Sequence, residues 1–218
     1  MKCRFLHLLI DPVNNQKEKI SHENIKSFCE KYGFDYVCCV NPLHKTLPPS
    51  EDCNRPEDIA LEPGQKNLSP AHYGCFTSHK SAICHHENQD YDCILVFEDA
   101  VIDCDFDEFK DGLLKFYEIS KQNQLDMFNF GNNQGYGYTY DKDMGDYILG
   151  NHFFIPAHSY MILKERLKVV QNKLNICKWD AFDLWITKIA KLKTGCSKRI
   201  YTKHCSGYSY VNKCVKNF

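Results

Sequence analysis

The chain of 218 residues carries almost no net charge, −1 from 27 basic and 28 acidic residues, and no basic block interleaved with aromatics. That balance argues against a dedicated nucleic-acid binder. No apolar run approaches the roughly 18 residues needed to span a bilayer. The opening MKCRFLHLLIDP resembles a signal peptide only superficially: its apolar stretch is short, interrupted by His7 and closed by Asp-Pro. No Cys-x-x-Cys pair occurs, so the spacing gives no zinc signature. Internal repeats and low-complexity tracts are also missing.

Cysteine itself is plentiful. The count of 13 is odd, so at least one thiol has no partner within the chain. Cys38, Cys39 and Cys93 lie inside apolar runs, where reduced cysteine behaves as a small hydrophobe. A reducing, cytoplasm-like compartment is expected. Cys196, Cys205 and Cys214 recur near His204, but without a pair motif they read as structural rather than as a metal site. With 43% apolar and 25% charged residues, residues 1–218 suit one enzyme-sized domain.

Elements alternate as in an α/β sheet. Lys2–Ile10 reads as a strand, Ser21 as the cap of a helix through Lys31, Gly33 as its end, and Phe34–Val40 as a second strand. Asn41–Asn67, broken by five prolines, reads as irregular. Ser69-Pro70 starts a helix running to about Glu87, since a hydroxyl N-cap precedes proline at the first helical position. Further expectations are a helix over Asp107–Lys121, a strand over Asp126–Phe130, and a mobile segment over Gly131–Gly150. Strand character returns at His152–Ile162, helices follow at Glu165–Leu174 and Ala181–Leu192, and short strands fill Arg199–Tyr210.

The chemistry concentrates after Cys93. Ile94, Leu95, Val96 and Phe97 form a continuous apolar run, the mark of a strand buried on both faces. Glu98 and Asp99 follow at once, at the strand end where open α/β sheets present ligands. Paired carboxylates there can hold a divalent cation, and the cation a phosphate; alternatively they merely end the strand. Lys188, Lys191, Lys193, Lys198 and Arg199 form a cationic stretch, readable as a solvated face or as an attractor of diphosphate. His85-His86 reads as the polar end of the central helix.

The pattern Leu68-Ser69-Pro70, Gly74-Cys75, Ser78-His79, then an apolar strand ending in Glu98-Asp99, resembles the family 25 glycosyltransferases. That family includes lipooligosaccharide and collagen hydroxylysine galactosyltransferases. Phe153–Leu163 is similar to a further family segment, in which Ser159 and Tyr160 either face the sugar or pack in the core. The resemblance implies a single GT-A-type α/β domain, a mostly parallel twisted sheet flanked by helices. It implies an inverting transferase moving galactose or glucose from a UDP-sugar to a glycan or a hydroxylysine-containing protein.

On that likeness, Ser78, His79, Glu98 and Asp99 bind the donor. Asp99 with Asp103 or His204 holds Mn²⁺ or Mg²⁺, and Asp180 is the base, with Asp183 as a second alignment. Asp180 also suits a helix N-cap, and His204 a plain surface or core histidine. Two residues depart from the pattern: His72 stands in place of a glutamate and Ala100 in place of a second aspartate. Alanine coordinates nothing, so a rival reading is a binding module descended from such an enzyme.

Overall fold

The computed structural model describes residues 1–40, 70–85, 90–131, 142–150, 157–204, 207–209 and 214–216. The expected loop Asn41–Asn67, the cap Ser69, and residues 132–141 and 151–156 lie outside them.

The fold grows from three neighbouring strands: β1 (Cys3–Leu9), β2 (Asp35–Val40) and β3 (Cys93–Phe97). β1 pairs in parallel with β2 on one side and with β3 on the other. Every residue of β3 is buried, as its unbroken apolar run demands. Between these strands come α1 (Gln16–Tyr32) and α2 (Pro70–Cys84). Next follow β4 (Ala100–Ile102), α3 (Phe106–Asn123), β5 (Met127–Asn129), β6 (Lys142–Asp143), β7 (Tyr147–Gly150) and β8 (Ser159–Leu163). α4 (Lys164–Ile176), α5 (Phe182–Leu184) with a π-helical turn Trp185–Ile189, and β9 (Thr194–Ser197) complete the main body. Three short strands close the chain: β10 (Thr202–His204), β11 (Gly207–Ser209) and β12 (Cys214–Lys216).

The central sheet has the order β2-β1-β3-β8-β5-β9-β7-β6. β8 runs antiparallel to both β3 and β5, and β7 antiparallel to β9 and β6; the remaining strands share one direction. The expected α/β class with a mostly parallel sheet flanked by helices is therefore the observed one. Alternation along β3 divides the core. Ile94 and Val96 join Leu6, Ile162, Val170 and Trp185 on the α2–α4 face, while Leu95 and Phe97 join Phe5, Phe28, Phe109 and Phe128 on the α1–α3 face. Each such side chain contributes about 1.5–3 kcal/mol by leaving water. Among the described residues no helix is long and apolar enough to cross a membrane, and the ten cysteines whose side chains are described are free thiols.

Three local expectations need correction. Asn15, not Ser21, caps α1, its side chain accepting from Lys17 N. Ser21 lies six residues further on, fully buried, and its hydroxyl donates to the Ala100 carbonyl at 2.7 Å. The segment to Gly150 is not irregular throughout, because residues 142–150 supply β6 and β7 against β9. Helical structure after Ala181 is short and turns into a π-helix, ending at Ala190.

Candidate functional site

The chain leaves β1 through α1 to β2 on one side, and returns through α2 to β3 on the other. The strand order thus reverses between β1 and β3. At such a point the two loops diverge and leave a crevice outside the carboxyl ends of the strands, the usual place for a ligand in open α/β sheets. Two groups of polar side chains converge there.

One comes from the start of α1. Lys17, in its first turn, forms an ion pair through Nζ with Asp99 Oδ2, immediately beyond β3. Both side chains are largely shielded, at 13% and 23% exposure, so solvent screens the pair less than it would an open surface pair. Glu18 is buried beside it, accepting from the backbone N–H groups of Ile10 and Asp11 at 2.7 Å each, which fixes the β1–α1 loop.

The other group comes from α2. Cys75 and His79, four residues apart, lie on one face of the helix. His79 is wholly buried, its ring stacked on Phe182 at 4.0 Å between centroids and 3° between planes. Its Nε2 lies 2.9 Å from Glu98 Oε1 and its Nδ1 2.7 Å from the Tyr160 hydroxyl. A carboxylate only accepts, so Nε2 carries the hydrogen toward Glu98. Tyr160, held protonated by burial and then by the charge of Glu98, donates to Nδ1. The Cys75 thiol donates to the same Glu98 oxygen at 3.4 Å. Burial, then the charges of Glu98 and Asp183, push that thiol well above its usual range. Among the described residues, Cys75, His79 and Glu98 are the one group of three metal-ligating side chains whose ligand atoms lie within 4.8 Å of one another.

No protein-family model and no curated protein sequence matches the chain. The resemblance to family 25 glycosyltransferases is therefore one of motif residues. Among solved structures, a glycosyltransferase involved in the glycosylation of the major capsid of PBCV-1 aligns over 80% of this chain and 66% of its own, with 9% identity and a TM-score of 0.44. A mannose-1-phosphate geranyltransferase from Thermus thermophilus aligns over 93% of this chain and 76% of its own, with 8% identity and a TM-score of 0.44. The chain spans just under two thirds of the first protein, and no site residue is carried over from either.

The residues expected from sequence separate. His79, Glu98 and Asp99 meet at the crevice. Ser78 turns onto its own helix, its hydroxyl donating to the Gly74 carbonyl at 2.8 Å. Asp180 is completely buried, with Oδ1 accepting from Ala181 N at 2.6 Å; it does not sit at an open mouth. Asp183 is half-buried and accepts from Ala157 N at 2.7 Å, and its charge helps to raise the Cys75 thiol and the Tyr160 hydroxyl above their usual ranges. Asp103 pairs with Lys203. The backbone of His204 lies opposite Ala100 in the β10–β4 ladder, but its side chain is outside the described residues. Tyr160 is a core residue. The cationic stretch is dispersed: Lys198 pairs with Asp143, Arg199 with Glu108, and Lys193 reaches the Asn123 carbonyl.

Among the described side chains, the positions expected to hold Mn²⁺ or Mg²⁺ have other partners. Hard cations take oxygen ligands. Asp99 and Asp103 are each turned to a lysine, and Ala100 offers no side-chain donor. Ala100 is instead a buried anchor. Ser21 donates to its carbonyl and so accepts from His7 Nε2 at 3.0 Å; His7 Nδ1 accepts from Tyr36, and Tyr36 from His22 Nδ1 at 2.8 Å. Burial lowers the pKa of His7 to about 4. Lys17 went unremarked in the sequence; its position in the first turn after β1 was the available signal. Cys75 carried no role there either, although its spacing from His79 placed both on one helical face.

Proposed function

We propose that the chain is a nucleotide-sugar transferase, moving a hexose from a UDP-sugar to a hydroxyl on a glycan or a hydroxylysine-containing protein. The observation that carries this reading is the Lys17–Asp99 pair at the point where the strand order reverses. There an ammonium is held, already partly desolvated, where a donor diphosphate would enter. Transfer leaves negative charge on the departing UDP, and a fixed cation in a shielded site stabilises it without solvent reorganisation. At an effective dielectric near 20, opposite unit charges about 4 Å apart interact by about 4 kcal/mol. Lys17 thus takes the part that the missing carboxylate at Ala100 would give to a hard cation.

The acceptor hydroxyl must lose a proton as it attacks the anomeric carbon. Asp183, half-buried and near enough for its charge to act on the Cys75 thiol, suits that base role better than the enclosed Asp180. Attack opposite the leaving UDP inverts the anomeric centre. Glu98 is held by His79 and Cys75, which keeps the crevice wall rigid. The test is a UDP-release assay with UDP-galactose and UDP-glucose against oligosaccharide and hydroxylysine-peptide acceptors. Acceptor-dependent release supports the reading. UDP binding without release or hydrolysis across the panel would instead mark a nucleotide-sugar-binding module.

A further inference from the structure

We propose that Cys75, His79 and Glu98 form a binding site for one thiophilic divalent ion of the Zn²⁺ class. The donor set is thiolate, imidazole and carboxylate, which suits zinc rather than Mg²⁺ or Ca²⁺. Its spacing fits. Zinc bonds of about 2.0–2.3 Å at tetrahedral angles separate ligand atoms by about 3.4–3.6 Å. Here Nε2 and Oε1 are 2.9 Å apart, and Sγ and Oε1 3.4 Å. All three ligand atoms lie within 4.8 Å of one another. An ion inserted among them takes the place of the two hydrogens that now point at Glu98: the thiol proton leaves to solvent, and the imidazole keeps its one hydrogen by carrying it on Nδ1, which then donates to the Tyr160 oxygen.

The surroundings are those of a metal site. His79 stacks on Phe182 and abuts Tyr160, the three rings packing together, and its distal nitrogen is bonded to the Tyr160 hydroxyl. Such an outer partner orients a ligating imidazole. Two ligands share one helical turn of α2, and the third, Glu98, stands in the bend immediately after β3, its backbone N–H donating to the His158 carbonyl at 2.9 Å. Glu98 accepts from the thiol, and the charges of Asp183 and Asp99 act on it as well, so a cation bound there is favoured. Three protein ligands leave a fourth position, the arrangement of zinc sites that keep a place for water or substrate. The site is separate from the Mn²⁺ or Mg²⁺ scheme and does not depend on the transferase reading.

The test uses the full chain, reduced and stripped by chelator, titrated with Co²⁺ as a spectroscopic probe. Binding of one equivalent should produce the intense visible bands of tetrahedral cobalt with a thiolate-to-cobalt charge-transfer band. Cys75→Ser should abolish that band, whereas Cys39→Ser keeps it. Tyr160→Phe should weaken the affinity by about 10–100-fold, as loss of an outer-shell partner does. Alkylation of the unaltered chain, read by peptide mass spectrometry, serves should a variant fail to fold: Zn²⁺ should protect Cys75. Absence of a charge-transfer band, a band undiminished in folded Cys75→Ser, or equal alkylation of Cys75 with and without Zn²⁺ overturns the proposal.

Discussion

His79 and Glu98 are joined by a 2.9 Å hydrogen bond that ties the middle of α2 to the carboxyl end of β3. The two residues are brought together because the helix packs into the core through Phe76 and Ile83, beside Phe182 of α5. Their contact converts hydrophobic packing into a fixed polar wall. Glu98 is further anchored by its backbone N–H, which donates to the His158 carbonyl at 2.9 Å.

Tyr160→Phe removes the hydroxyl that donates to His79 and leaves a buried nitrogen without that bond. The expected cost is about 1–3 kcal/mol, read as a lower urea midpoint at unchanged m-value. An unchanged midpoint would mean that the pair contributes nothing to stability.

Gly131→Ala should also destabilise. A Cβ there would meet His158 Nε2 at 2.2 Å and the Thr202 carbonyl at 2.9 Å, and His158 supports Glu98 from behind. Overpacking of this kind costs about 1–3 kcal/mol. Thermal unfolding of the variant measures it.

The folded pKa of His7, about 4, lies below its ordinary 6.5 because of burial. Between those values the unfolded chain binds a proton that the folded chain does not. The contribution of neutral His7 is therefore complete above the upper value and is lost as pH falls toward the lower one, at about 1.4 kcal/mol per pH unit. Urea midpoints across that window should fall with pH in the parent and fall less steeply in His7→Gln.

The sheet was legible because its strands are continuous apolar runs closed by polar residues, as at Cys93–Phe97. The start of α1 was not. Ser21 has the chemistry of a cap, but burial against Ala100 gives its hydroxyl a partner on another strand. Asn15, in an Asx arrangement with Lys17 N, does the capping. Likewise, Glu98 and Asp99 could be read as a ligand pair from their place after β3. That they would be divided, one to His79 and Cys75 and the other to Lys17, depends on contacts across long separations in sequence.

Asp183→Asn should leave UDP affinity unchanged and lower transfer by about 10²–10⁴-fold, because an amide accepts the Ala157 hydrogen bond but not the acceptor's proton. Asp180→Asn should act on stability rather than on the chemical step. Single-turnover rates and unfolding curves on both variants separate the two. Full activity in Asp183→Asn removes it as the base.

Titration calorimetry of UDP into the parent chain and Lys17→Met, with and without added Mn²⁺ or Mg²⁺, tests the central claim most directly. The parent should bind UDP with an affinity that neither cation changes. Lys17→Met should bind about 10–100-fold more weakly, the loss of one charge-assisted contact. Absence of UDP binding in the parent, or undiminished affinity in Lys17→Met, would contradict the account.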